Sequence, residues 1–240
     1  MFPYDPALLA AVQSTPQAVE DVLEILQNID RICIDVDGLK WFNGLYFAVT
    51  NAVKERVDAG GFADPGWIAT LDVQFARLYL SALKSSLSGQ RTPGCWQVLM
   101  DRRNQSALAR IQFALAGMNA HINHDLPEAV VSTCRDTGVT PTHGSNHYND
   151  YTAIDSTLSN LVESAKQTLN FRLPGDALPP LSHLHDTIAA WKVDKARESA
   201  WQIAEHIWHV RSLPPLVASI VDTLDGLTTV INKALLAPVS

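Results

Sequence analysis

Residues 104–127, NQSALARIQFALAGMNAHINHDLP, carry the pattern on which the fold turns. Leu108, Ile111, Leu115, Met118 and Ile122 recur at alternating spacings of three and four, the apolar stripe of an amphipathic helix. Pro127 punctuates the end, so the spacing predicts a helix from about Asn104 to Asp125.

The same period continues in both directions. Thr15-Pro16 opens a helix that runs to about Asp30, and a second extends from about Gly38 to Ala59, stopping at Gly60-Gly61. Asp64-Pro65 opens a third, with Trp67, Leu71, Phe75, Leu78 and Ala82 on one stripe. A short helix follows Pro93, and others cover roughly Pro127 to Thr137, Asn149 to Asn170, Ser182 to Trp191, Asp194 to Arg211 and Pro214 to Leu236. No segment alternates as a half-buried strand does. The expectation is an all-α, multi-helix bundle of about ten helices. The longest irregular stretches, Thr137 to Asn149 and Arg172 to Pro180, suit connections inside one bundle, and no repeat or low-complexity linker divides the chain. A single domain over residues 1–240 follows.

Composition narrows the function classes. The chain has 240 residues, 47% apolar and 18% charged, enough to bury a sizeable core and too apolar for disorder. Its 18 Lys and Arg against 25 Asp and Glu give a net charge of -7, which offers phosphates no basic field and argues against a nucleic-acid partner. Cys33, Cys95 and Cys134 are too widely spaced for a zinc knuckle and too few for a disulfide framework. They read as reduced thiols of a cytoplasmic protein. Met1 to Gln13 contains Asp5 and no Lys or Arg, the wrong charge pattern for a secretory leader. The apolar tail from Leu213 to Leu236 is interrupted by Asp222, Asp225 and Lys233, so no membrane span is expected.

One motif points to a different fold. Ile32 to Gly38, ICIDVDG, resembles the DxDG signature of haloacid-dehalogenase-type phosphotransferases, whose first Asp is a nucleophile. That signature requires a buried strand and a parallel sheet, and the rest of the chain supplies helices. The segment reads instead as a helix-to-helix connection in which Asp37-Gly38 turns and Asp35 or Asp37 caps the next helix.

Chemistry is sought where polar groups border apolar seams. His121 and Asp125 lie one turn apart on one edge of the central stripe, while Gln112, Asn119 and Asn123 line the other. In the helix from Asp194, Ala196, Ala200, Ile203, Ile207 and Val210 form a stripe widened by Trp201 and Trp208, and Arg197 projects inside that arc. Its candidate acidic partners are Asp125, Asp150 and Asp155. His206 borders the same arc, whereas His124, Glu198, Glu205 and His209 are expected to face solvent, and His143, His147, His183 and His185 lie in or near loops. Polar groups taken out of water need partners, so this set predicts a polar pocket; a buried network that fixes helix register is the plainer alternative.

The HxxxD pair His121 and Asp125 matches the spacing of metal ligands in all-α zinc enzymes, with His206, Asp150 and Asp155 as further ligands for zinc, iron or manganese. Without a metal, Asp125 would orient His121 as a general base and Arg197 would hold a carboxylate or phosphate. Asn119, Asn123, Asn43, Tyr46 and Trp201 are the candidate substrate contacts, with Trp41 and Trp208 as further apolar walls.

The string Gly117 to Pro127, GMNAHINHDLP, resembles the signature of an uncharacterised, mainly bacterial family of all-helical proteins known only as a domain of unknown function. The likeness extends to Trp41-Phe42-Asn43 with Tyr46 and Thr50, to Phe62-Ala63-Asp64-Pro65, to Phe75-Ala76 with Tyr79, to Asp150-Tyr151, and to Arg197 with Ala200-Trp201. Asp155 departs from it, since the family tends to have Asn there. The resemblance implies an all-α fold and the same His, Asn and Asp helix, and it brings no activity. The expected function is therefore a small-molecule enzyme acting by metal-assisted or His/Asp acid-base chemistry on a partly apolar metabolite. Hydrolysis is the first reaction class, with lyase, isomerase or cyclase chemistry behind it. The rival is a non-catalytic binding or scaffold protein.

Overall fold

A computed structural model describes residues 2–169 and 192–238. The helix expected over 182–191 and the loop expected over 172–180 fall outside them.

Among the described residues the fold is all-α. The helices are α1 (Asp5–Ala11), α2 (Val19–Ile32), α3 (Gly38–Asp58), α4 (Pro65–Leu87), α5 (Gly94–Arg102), α6 (Arg110–Ala120), α7 (Leu126–Thr137), α8 (Asn146–Thr152), α9 (Asp155–Leu169), α10 (Val193–His209) and α11 (Pro214–Leu235). A single π turn, His121–Asp125, joins α6 to α7. Buried apolar residues from α1 to α11 form one contiguous cluster.

Three departures from the expected boundaries stand out. The short helix α1 lacks the length for a readable period. The expected helix from Asn149 to Asn170 breaks into α8 and α9. The helix expected to end before Pro127 instead continues to Thr137. Proline inside a helix lacks a donor and crowds the carbonyl four residues back. Here the backbone widens first: Leu126 N–H bonds the His121 carbonyl, five residues back, and Pro127 falls in the opening turn of α7.

Two glycines set the spacing of α3 against α6. A Cβ on Gly117 would lie 2.2 Å from the Phe42 ring, and one on Gly38 would lie 2.3 Å from Phe113. The DxDG-like segment is the connection its context called for. Asp37 caps α3 by accepting from Leu39 N–H at 3.0 Å, and it also accepts from Arg103 and Tyr4.

Candidate functional site

Beside the π turn, residues of α3, α4, α6, α8, α9 and α10 line a small, half-open cavity. Tyr46, Val53, Ile68, Leu71, Asp72, Phe75, Met118, His121, Tyr151, Leu158 and Arg197 are among the residues lining it. About 50 Å³ is open to the centre of a water-sized sphere, room for roughly three or four waters. The walls are mainly apolar, with Asp72, Tyr46, His121 and Arg197 as polar groups.

His121 is 1% exposed. Its Nδ1 meets Asp125 Oδ2 at 2.9 Å, and its ring stacks on Phe75 with centroids 3.4 Å apart and planes 3° from parallel. Tyr46 meets the imidazole edge-on at 4.5 Å between centroids. Burial lowers the His121 pKa against the opposing pull of Asp125. A neutral ring that gives its Nδ1 proton to a carboxylate leaves Nε2 as a bare acceptor. Nε2 is buried and has no hydrogen-bond partner among the described residues.

Asp125 is held from three sides. It accepts from His121, from His124 Nδ1 at 2.7 Å through Oδ1, and from Trp96 Nε1 at 3.1 Å to Oδ2. Burial disfavours its charge, but the hydrogen bonds from His121 and His124 outweigh it and hold the carboxyl below its ordinary range. Burial likewise opposes a charge on His124, yet the bond to Asp125 raises its pKa. The expectation that His124 faces solvent is thus corrected: it is 5% exposed. A helix of 3.6 residues per turn would point position 124 outward, and the wider π turn rotates positions 121–125 out of that phase.

Asp72 is the site residue that reading by motif missed. It is 8% exposed, Oδ2 has no partner among the described residues, and burial raises its pKa to about 7. A signal was present, because Asp72 is the one acidic residue in α4 and sits amid Ile68, Leu71 and Phe75 on its apolar stripe.

Arg197 is 4% exposed and reaches the cavity from α10. Of its three candidate partners it takes Asp155, with Nε at 2.7 Å from Oδ1, and Nη2 donates to the Tyr151 carbonyl. The guanidinium carbon lies 4.0 Å from the centre of the Tyr151 ring. Burial raises the Asp155 pKa, with Arg197 pulling the other way.

Other expected site residues lie elsewhere. Asp150 is not beside His121: its two oxygens accept the backbone N–H groups of Ala63 and Asp64, at 2.9 and 2.7 Å, bracing the start of α4. His206 is exposed, with Nδ1 against the Gln202 carbonyl, because it sits just beyond the buried edge of α10. Neither joins His121 and Asp125 in a ligand set, and Asp125 already serves three donors. Asn119 and Asn123 do not face the cavity. Asn119 donates to Asn232 Oδ1 at 2.9 Å and accepts from Asn123 at 2.8 Å, while Gln112 donates to the carbonyls of Leu235 and Ala237. This polar edge fastens α11 to α6. Asn43 donates to the Leu26 carbonyl at 2.8 Å and ties α3 to α2. Trp201 packs against Trp67, Tyr148 and Tyr151, outside the cavity lining. Trp41 lies beneath Arg110, and Trp208 beneath Arg211.

Residues 19–238 match the model of a family described as a family of unknown function, DUF5995. No curated protein matches, and no solved structure matches.

Proposed function

We propose, for a chain that belongs to this family of unknown function, that it is a small-molecule enzyme working by acid-base chemistry at His121. The observation that carries the reading is the buried, unpartnered Nε2 of an imidazole whose Nδ1 is engaged by Asp125, on a residue that lines the same cavity as Asp72. Such a nitrogen takes a proton from a substrate or from a water placed against one, and Asp125 stabilises the imidazolium that forms. Asp72, neutral at and below about pH 7, supplies the complementary proton donor. Arg197, paired with Asp155, lies at the wall, where a substrate carboxylate or phosphate would share its guanidinium with that partner, and the apolar lining accepts a short hydrocarbon body. The reaction classes consistent with one base, one acid and an anion anchor are hydrolysis and proton-transfer chemistry of the lyase, isomerase or cyclase kind. Three free, buried cysteines support a reducing, cytoplasmic setting.

A non-catalytic scaffold is the second reading, favoured by the saturation of Asp125, whose three donors come from α5 and the π turn. The two separate experimentally. Wild type and His121→Gln are incubated with a library of small carboxylates, phosphates and their esters, and the mixtures are analysed by mass spectrometry. The enzyme reading expects a substrate turned over by wild type and lost by about 10²-fold or more in the variant, which keeps its fold. Turnover equal in both proteins, or none in either with a large loss of stability in His121→Gln, favours the scaffold.

A further inference from the structure

We propose that Cys95, His124 and Asp225 form a binding site for a divalent cation of the zinc type, on the far side of Asp125 from the cavity. The inference goes beyond the acid-base reading and does not rest on it. Among the described residues, this trio is the one set of three or more His, Cys, Asp or Glu with ligand atoms all within 4.8 Å of one another. Cys95 and His124 are buried and Asp225 is partly exposed, giving the set a side open to solvent.

The chemistry of the donors fits a borderline-soft ion. One sulfur, one imidazole nitrogen and one carboxylate oxygen are the donor types zinc takes, leaving a fourth position for water or a substrate atom. A tetrahedral zinc with bonds of about 2.0 to 2.3 Å holds its ligand atoms roughly 3.3 to 3.8 Å apart, so the trio needs to contract by at most about 1.5 Å.

A second observation points the same way. His124 gives Nδ1 to the Asp125 carboxylate at 2.7 Å, and Nε2, its other ring nitrogen, has no hydrogen bond among the described residues. A metal-bound histidine characteristically donates its remaining N–H to a carboxylate, which fixes its tautomer and orientation. Asp225 is itself positioned: Oδ2 accepts the N–H of Gly94 and Oδ1 that of Cys95, each at 2.8 Å, Oδ1 also meets Thr229 Oγ1 at 3.5 Å, and Oδ2 retains a lone pair. Binding converts the Cys95 thiol to a metal thiolate and releases one proton to solvent. Because Asp125 is shared by His124 and His121, the cation would sit one carboxylate away from the cavity imidazole.

The test uses the whole chain stripped by chelator and titrated with Co²⁺, then with Zn²⁺. Wild type is expected to bind one equivalent of Co²⁺, with a near-ultraviolet thiolate charge-transfer band and the visible bands of a tetrahedral ion, both removed by Zn²⁺. Cys95→Ser should lose the charge-transfer band, whereas Cys33→Ser and Cys134→Ser keep it. Asp225→Asn should weaken binding by about tenfold or more. If Cys95→Ser does not fold, the other two cysteine variants still assign the thiolate by elimination. A wild-type protein that shows no thiolate band, or a folded Cys95→Ser that retains one, overturns the site.

Discussion

Asp72 and His121 share a wall and are pushed towards neutrality from opposite sides, the acid upwards and the base downwards, by the same burial. The consequence for stability can be worked out for Asp72. An unfolded chain releases this proton near pH 3.9, and the folded one near pH 7. Its contribution to stability is therefore fully present below about pH 4 and is lost as pH rises through about 7. Asp72→Asn removes that titration, so the variant should gain on wild type between pH 4 and pH 8, by up to about 4 kcal/mol, in urea unfolding. His121 acts in the other sense: its lowered pKa contributes stability above about pH 6.5 that is lost as pH falls through the folded value. That term is common to both proteins and cancels in the comparison. Parallel stability curves would show that Asp72 is ionised in the fold and is no proton donor.

At the scale of elements, two devices place the site: the π turn and the close approach of α3 to α6. The turn brings His121 and His124 to the two oxygens of one carboxylate, although His124 and Asp125 are adjacent in sequence and a regular helix would point them about 100° apart. The approach of α3 depends on Gly117, the first residue of the GMN string, which leaves room for Phe42. Phe42 in turn meets His121 edge-on at 5.8 Å between centroids. Gly117→Ala should destabilise the protein by about 1–3 kcal/mol through overpacking, despite the higher helix propensity of alanine. The measurement is the shift in denaturation midpoint; a neutral or stabilising effect would show that Phe42 repacks without cost.

Across the whole molecule, the described helices were mostly legible because each must turn one stripe inward, and period and punctuation record that demand. The Gly60-Gly61 stop, the Asp64-Pro65 start and the cap at Asp37 were written locally and occur where expected. Site membership was legible only in part. His121, Asp125 and Arg197 could be chosen as polar groups beside apolar seams, and Tyr46 as an aromatic wall, but which seam each faces depends on distant chain. Asn119 and Gln112 look like Asp125 in the linear pattern, yet their partners lie 113 and 123 residues away in α11. His124 was hidden by the π turn, whose extra residue no periodic pattern announces. Asp72 was visible as a lone carboxylate in an apolar stripe, and a search for motifs passes over it because it belongs to none. No described helix is long and apolar enough to cross a membrane. The most direct measurement of the central claim is long-range ¹H–¹⁵N NMR on histidine-labelled protein, followed from pH 8 to pH 5. The account predicts that His121 carries its proton on Nδ1, has a bare Nε2 and stays neutral below the pH at which an ordinary histidine charges. A His121 that is cationic at neutral pH, or that bears its proton on Nε2, would contradict it.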